Sequence, residues 1–301
     1  MRRIIDLSGG TQEGPQVFRL RLDKGCLLIS HGTEEYPDEV RIPAHEVAVL
    51  VLGHRLALTG AVLGAVTANG GAVLALDDRF RPAGLMLPVE GNQRHARRLR
   101  RQIERFPELA PKHWQQIVQA KIRAQAVLVP EEPRVAACAK LVALGDETNV
   151  EAQAARLYWG ALFGEGFKRH DDSIANKALN YGYAVVRAMV ARAICASGLH
   201  PALGLHHRGD RDTFALADDL MEPARPIVDR IVSQLREGEF DRTTKGALLA
   251  ATTTAVTVAG RQIGLIEAYE VVCNSLVTSL ETYEELALPE CGTLVPDRHL
   301  H

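Results

Sequence analysis

Asp219 and Glu222 stand three positions apart in LADDLMEPARPIVD, residues 216–229. Leu216, Leu220, Ala224 and Ile227 fall on one stripe, which predicts an amphipathic helix and puts the two carboxylates together on another face. Acids in a helix's first turns ordinarily complement its macrodipole, and Arg225, three residues after Glu222, can satisfy one of them as a simple ion pair. Two other stretches weaken that plain reading. GLHHRGDRD (204–212) places His206 and His207 in a polar loop just before the helix, with Gly204 and Gly209 beside them. In NVEAQAARLYWGALF (149–163), Glu151 opens a helix that is otherwise mostly apolar, where a carboxylate buried alone needs a cation, a hydrogen-bond network or a metal. Taken singly, Glu151 reads as an N-terminal helix acid and either histidine as a loop residue, so the case rests on the combination.

Glu151, one histidine and Glu222, with Asp219 nearby, make an oxygen-rich set with a single imidazole. Hard carboxylate oxygens suit Mg²⁺ or Mn²⁺, the lone nitrogen tilts toward Mn²⁺, and the lack of nearby thiolates argues against zinc. A cationic segment gives such an ion a context. Between Asn92 and Arg123 there are nine Lys or Arg against two acids, a local balance of +7 in a chain whose net charge is -2. Clustered cations gain free energy by displacing counterions from phosphates, so a polyanion partner and phosphodiester chemistry are expected.

The elements that must hold these residues divide in two. From residue 1 to 89 the text is strand-like: VFRLRL and CLLIS flank the turn Asp23-Lys24-Gly25, then VRIP, VAVLVL, AVLAL and AGLMLPV follow at short spacing, with one helix within 57–70. From 90 to 301 apolar residues recur at three and four positions. Helices are predicted over about 92–105, 112–128, 134–144, 150–163, 173–197, 216–236, 243–259 and 261–286, followed by a loose tail from Leu288 to His301. The expected fold class is therefore α+β, a small β-rich domain (1–89) followed by a larger all-helical catalytic domain (90–301).

With 301 residues, 47% hydrophobic and 24% charged, the chain is long enough for one large or two ordinary domains and has a globular composition. No apolar run reaches the roughly 18 residues of a membrane span, and MRRIIDLSGG lacks a signal-peptide core, so a cytoplasmic location without membrane contact is expected. Cys26, Cys138, Cys195, Cys273 and Cys291 are scattered and odd in number, which predicts reduced, mostly buried thiols.

NVEAQAARLYWGALF, SIANKALNYGYAVV (173–186) and GLHHRGDRDTFALADDLMEPARPIVD (204–229) together resemble the CRISPR-associated spacer-acquisition integrase family, Cas1, and most closely the form encoded beside the RNA-guided nuclease Cas9. The likeness spans nearly the whole chain, and Glu151, 56 positions before His207, and His207, 15 before Glu222, keep that family's spacing. It implies that Glu151, His207 rather than His206, and Glu222 hold Mg²⁺ or Mn²⁺. Asp219 then supports by binding or by orienting a ligand, and Arg225 contacts a phosphate or carboxylate. It implies a DNA endonuclease and integrase that inserts short foreign double-stranded fragments into a CRISPR array. The fragment's 3′ hydroxyl attacks a repeat phosphodiester, with a Cas2 dimer as partner and the β-rich domain forming a homodimer.

In that reading Arg94, Arg97, Arg98, Arg101 and Arg105, which share one helical face while Arg100 sits off it, follow a DNA backbone without reading sequence. The alternative is a solvated arginine helix paired with acids elsewhere. ALNYGYAVV reads as scaffold, with Tyr181, Val185, Ala188 and Met189 at helical spacing, Asn180 joining two helices and Asp218 serving a helix terminus. Ala224 departs from the family, standing where an aromatic is expected. Two rivals remain: a non-catalytic DNA-binding assembly protein, and a helical metal-dependent phosphohydrolase of a small substrate.

Overall fold

The computed structural model describes residues 2–8, 18–32, 37–53, 56–77, 82–88, 92–169, 171–207, 209, 212–235, 240 and 242–290. Strands β2 (Phe18–Asp23) and β3 (Cys26–Gly32) pair antiparallel across Lys24 and Gly25, whose φ angles of 47° and 75° are those of a tight turn matched to strand twist. β4 (Pro37–Pro43) adds to β3, and β6 (Leu56–Leu58) adds parallel to β2. A second sheet joins β1 (Arg3–Leu7), β5 (Val47–Leu52) and β7 (Ala72–Leu76) in parallel and β8 (Pro82–Met86) antiparallel, in the order β1-β5-β7-β8.

β5, sequence VAVLVL, has no polar alternation because both its faces are buried. Val47 and Leu50 enter a small core with Leu20, Leu27 and Ile29 of the first sheet and with Val62 and Val66 of α1 (Gly60–Ala68). Ala48, Val49 and Val51 enter the large core shared with the helices that follow. The β-rich part is thereby welded to the helical part through the second sheet.

α2 (His95–Leu128) is one helix where the sequence predicts two, although Pro107 and Pro111 lie inside it. Each proline removes one i→i−4 donor. Phe106, Leu109, Ala110, Trp114, Ile117, Val118 and Ile122 nevertheless form one buried stripe on both sides of them, so burial keeps the helix going where local propensity would end it. α3 (Pro133–Cys138), α4 (Val150–Phe163) and α5 (Ile174–Ala196) follow. α5 is the central helix, with Tyr181, Val185, Ala188 and Met189 all buried, and it touches both the second sheet and the remaining helices.

Two expectations for the carboxyl-terminal part are corrected. The helix predicted over 216–236 is α6 (Ala215–Met221), a 3₁₀ turn (Glu222–Ala224) and α7 (Arg225–Ser233), because Pro223 and Pro226 cannot donate to the preceding turn. Nor is this part all helical. After α8 (Arg242–Ala250), strands β9 (Ala255–Val258) and β10 (Arg261–Gly264) form an antiparallel hairpin ahead of α9 (Leu265–Thr282). TTTAVTV is rich in β-branched residues, Val256 and Val258 alternate inward, and Ala259 and Gly260 turn the chain at φ 49° and 73°.

Glu290 pairs with Thr257 on that hairpin, so the expected loose tail does not begin at Leu288; residues 291–301 lie outside the described ones. Cys138 and Cys273 are buried, Cys26 and Cys195 half-buried, and all four are free thiols; Cys291 also lies outside the described residues.

α5 meets α7 and α8 at Gly182, where an added Cβ would stand 2.5 Å from Val228 Cγ1 and 3.2 Å from Leu248 Cδ2. Val228 and Leu248 are themselves buried and cannot yield freely. Gly182→Ala is therefore expected to lower unfolding free energy by about 1–3 kcal/mol in urea titration, overriding the helix propensity that alanine adds.

Candidate metal centre

Glu151 lies in the first turn of α4, but it does not cap that helix. Asn149 accepts from Ala152 N, while the buried Asp146 carboxylate accepts from Val150 N (2.9 Å) and Glu151 N (3.0 Å). With the helix terminus already satisfied, the Glu151 side chain is left to turn toward α2.

The histidine loop is fixed from two sides. The fully buried Gln102 of α2 donates to His200 O and Leu203 O and accepts from His200 N, at 2.9–3.1 Å. From the other side, Asp219 of α6, with no exposed surface, gathers the loop's backbone. Its Oδ2 accepts from Leu205 N (2.6 Å) and His206 N (2.9 Å), and its Oδ1 accepts from His207 N (3.2 Å) and meets His207 Nδ1 at 2.6 Å.

Both oxygens of Asp219 are thus engaged in shaping the loop, which makes it a group that orients His207. The hydrogen bond to Asp219 raises the His207 pKa against the opposing effect of burial, and it leaves Nε2 as the remaining ring nitrogen. His206 turns away and stacks flat on Trp114 of α2, ring centroids 4.2 Å apart. Gly204 is required because a Cβ there would lie 2.2 Å from His207 O.

Glu222 sits in the 3₁₀ turn and is almost wholly buried. Its Oε2 is 2.5 Å from Lys121 Nζ, and the same nitrogen is 2.5 Å from Glu151 Oε1, so the two glutamates converge on one point. Arg225 Nε lies 3.0 Å from the other Glu222 oxygen, the carboxylate contact expected of it, with its guanidinium 4.8 Å from the centre of the Tyr183 ring. Burial alone would drive Glu222 toward its neutral form, but Lys121 and Arg225 outweigh it and hold its pKa below the ordinary value. Burial likewise disfavours the Lys121 ammonium, and Glu222 followed by Glu151 reverses that to a net rise.

A buried tie supports this cluster from behind. Asp229 of α7 accepts from Tyr158 Oη of α4 (2.8 Å) and from Tyr183 Oη of α5. Burial pushes Asp229 up to about 6 against the lowering effect of the two hydroxyls. The tie joins the helix of Glu151 to the helix that continues from Glu222.

The donor types fit a hard divalent cation: two carboxylates facing one point, an imidazole oriented by Asp219 within electrostatic reach of Glu222, and a buried Glu222 Oε2 with no aligned hydrogen-bond donor despite the nearby ammonium. Among the described residues no three His, Cys, Asp or Glu side chains close on one point, and Lys121 fills the space between the glutamates. Lys121, Asp146, Gln102, Trp114 and Asp229 escaped the sequence reading. Lys121 was legible only as one cation in a basic segment, and the others carry no local signal of a role.

The five arginines of the expected DNA face begin at α2 and differ in surroundings. Arg94 is exposed, Arg97 and Arg101 lie 3.5 and 3.8 Å from Glu281 of α9, and Arg101 also meets Glu104 at 3.2 Å. Arg98 donates to Ser197 O (2.6 Å), and Arg105 contacts Tyr283 and Glu108, so these two are committed to holding the chain. Asp218 stands in the first turn of α6, where an acid complements the helix terminus, and also pairs with Arg187 Nε of α5 at 2.7 Å. Asn180 accepts from Arg169, joining α5 to the preceding loop, and Ala224 is fully buried.

A family model described as CRISPR associated protein Cas1 matches residues 16–259. A CRISPR-associated endonuclease Cas1 of Neisseria meningitidis serogroup C is 40% identical over 226 residues, 73% of this chain and 73% of the relative. Among solved structures, a casposase bound to integration product superposes with a TM-score of 0.78 at 18% identity, covering 97% of this chain and 95% of the casposase. A chain of a Cas6-RT-Cas1–Cas2 complex superposes with a TM-score of 0.71 at 15% identity, over 94% of this chain and 35% of that one. The two structures establish a shared fold. The family match and the 40% relative establish descent, and the chain belongs to the CRISPR-associated protein Cas1 family.

Proposed function

We propose that this protein is a metal-dependent DNA integrase of CRISPR adaptation, of the form encoded beside the RNA-guided nuclease Cas9. It inserts short fragments of foreign duplex DNA into the array. The fragment's 3′ hydroxyl forms a new phosphodiester bond as a repeat phosphodiester breaks, so no nucleotide cofactor is needed; water in place of the hydroxyl gives a nuclease. The observation that carries this reading is the convergence of Glu151 and Glu222 within 2.5 Å of one point, beside a His207 ring that Asp219 orients. Family membership and the shared fold of a casposase solved with its integration product support it.

Glu151, Glu222 and His207 Nε2 would hold Mg²⁺ or Mn²⁺. When bound, that ion neutralises and polarises the phosphodiester under attack. Asp219 fixes the tautomer and direction of His207, and Arg225 holds one oxygen of Glu222 so that the other faces the site. Arg94, which is exposed, and Arg97 and Arg101, whose ion pairs are with the exposed carboxylates of Glu281 and Glu104, guide duplex DNA by its phosphates.

A Cas2 dimer is the partner, a reading supported by the fold shared with a Cas6-RT-Cas1–Cas2 complex, and the β-rich part forms the homodimer. The protein acts in the cytoplasm; among the described residues no helix is long and apolar enough to cross a membrane. One observation favours a second reading, a DNA-binding assembly protein without catalysis: Lys121 lies between the glutamates, as a purely structural charge cluster would have it.

Strand transfer of a labelled duplex into a supercoiled plasmid bearing a CRISPR array, with Cas2 and Mn²⁺ or Mg²⁺, separates these readings. The native protein is expected to give product, and Glu151→Ala and His207→Ala to give none while still folding and binding DNA. Binding without product from the native protein would favour assembly, and full activity in the variants would displace the site. Asp219→Asn should lower Mn²⁺ affinity in calorimetry, and strand transfer with it, by about 10–100-fold. Replacing Arg94, Arg97 and Arg101 with alanine should weaken duplex binding at all sequences. In a salt titration the slope should become shallower by about 0.9 for each phosphate that the variant no longer neutralises.

A further inference from the structure

Lys121 has no part in the chemistry just described, yet it occupies the centre of the site. It reaches in from α2 with a side chain 11% exposed, and its Nζ is the group that spans Glu151 Oε1 and Glu222 Oε2, 2.5 Å from each. The two contacts differ in kind. The one to Glu151 is an aligned hydrogen bond, whereas Glu222 Oε2 has the charge of Lys121 facing it without an aligned donor. Glu222 is thus held chiefly by charge, with Oε2 itself buried.

Charge and volume both bear on what happens when a divalent cation arrives. Glu151, Glu222, Lys121 and Arg225 together sum to zero. Adding a divalent ion with Lys121 in place leaves +2 at contact distances in a site largely removed from water, where like charges repel far more strongly than they do in bulk solvent. An ion bound by both glutamates at the roughly 2.0–2.1 Å that Mg²⁺ demands would also overlap the position of Nζ. Arg225 is anchored against Tyr183, but Lys121 has a flexible four-carbon stem that can swing aside.

We propose that Lys121 is a displaceable internal cation: it holds Glu151 and Glu222 together while the site is metal-free, and the divalent ion enters by exchanging with Lys121 Nζ. This rests on the metal-dependent reading above. Lys121 is a positioning residue in that scheme, acting on the two glutamates before catalysis begins. It allows the buried Glu222 and the half-buried Glu151 to face each other through synthesis and folding, before any ion is available, and it sets how tightly the ion is then held.

The test measures Mn²⁺ binding to the full-length protein by electron paramagnetic resonance, for the native chain, Lys121→Met and Glu151→Ala. Lys121→Met is expected to bind Mn²⁺ at least about tenfold more tightly, to melt at a lower temperature without metal, and to gain more from added Mn²⁺ than the native chain does. A second measurement uses the native protein alone, so it stands even if Lys121→Met does not fold. Pulse labelling of amines, read by mass spectrometry, should show Lys121 slow to react without metal and faster with Mn²⁺, while the exposed Lys112 reacts alike in both.

Unchanged or weaker Mn²⁺ binding in a folded Lys121→Met overturns the exchange, and so does Lys121 labelling that ignores Mn²⁺. If Mn²⁺ binding is still lost in Glu151→Ala, that result leaves the metal site itself standing. A native protein that binds no Mn²⁺ through Glu151 overturns both readings.

Discussion

Glu222 is a carboxylate almost wholly removed from water that stays charged only with cations at contact distance, and the helical part of this molecule is arranged around that requirement. Glu151 and Glu222 come from elements 71 positions apart, and they are brought face to face with Lys121 between them and Arg225 behind. An isolated carboxylate in such a place would take up a proton. The two cations instead hold Glu222 below its ordinary pKa, so its oxygens stay charged. The charges of Glu151, Glu222, Lys121 and Arg225 cancel there.

The supports around that cluster are buried polar ties, each spanning elements that hydrophobic packing alone would leave free to slide. Asp219 collects three backbone amides and one imidazole, Gln102 pins the start of the same loop, and Asp229 joins α4, α5 and α7 through two tyrosines. Burial pushes both phenols well above their ordinary pKa, so they stay donors to Asp229. A polar network with its members satisfied specifies relative position more sharply than apolar contact does, because its hydrogen bonds are directional and leaving them unmade is costly. The central helix α5 and the second sheet carry this polar scaffold on a single large core.

A Cas1 fold met at 15–18% identity in a casposase and in a Cas1–Cas2 assembly shows how little of the fold depends on particular surface residues. The arginine face is mixed in this respect. Arg98 and Arg105 are drawn into contacts with Ser197, Glu108 and Tyr283, while Arg94 remains on the surface, so one helical stripe is split between packing and solvent.

The amino-acid sequence by itself determined which residue types could do chemistry and where most of the strands and helices lie. The i, i+3 pairing of Asp219 and Glu222, the Lys24-Gly25 turn and the buried faces of α5 follow from periodicity and turn chemistry, which act over a few residues, whereas the long spacing from Glu151 to His207 and Glu222 was legible only through the resemblance to a family. Tertiary structure decided what local pattern could not express. The stripe on both sides of Pro107 and Pro111 kept α2 whole, Pro223 and Pro226 broke the next predicted helix at Glu222, and TTTAVTV became a strand where its inward valines found a partner hairpin. Asp219 emerged as the organiser of the histidine loop, and Lys121, one cation among many in a basic segment, became the neighbour of both glutamates. A side chain's role at this site is set by which distant charges and backbone amides the fold places within about 3 Å of it, and hydrogen bonds and contact ion pairs carry no trace in neighbouring sequence.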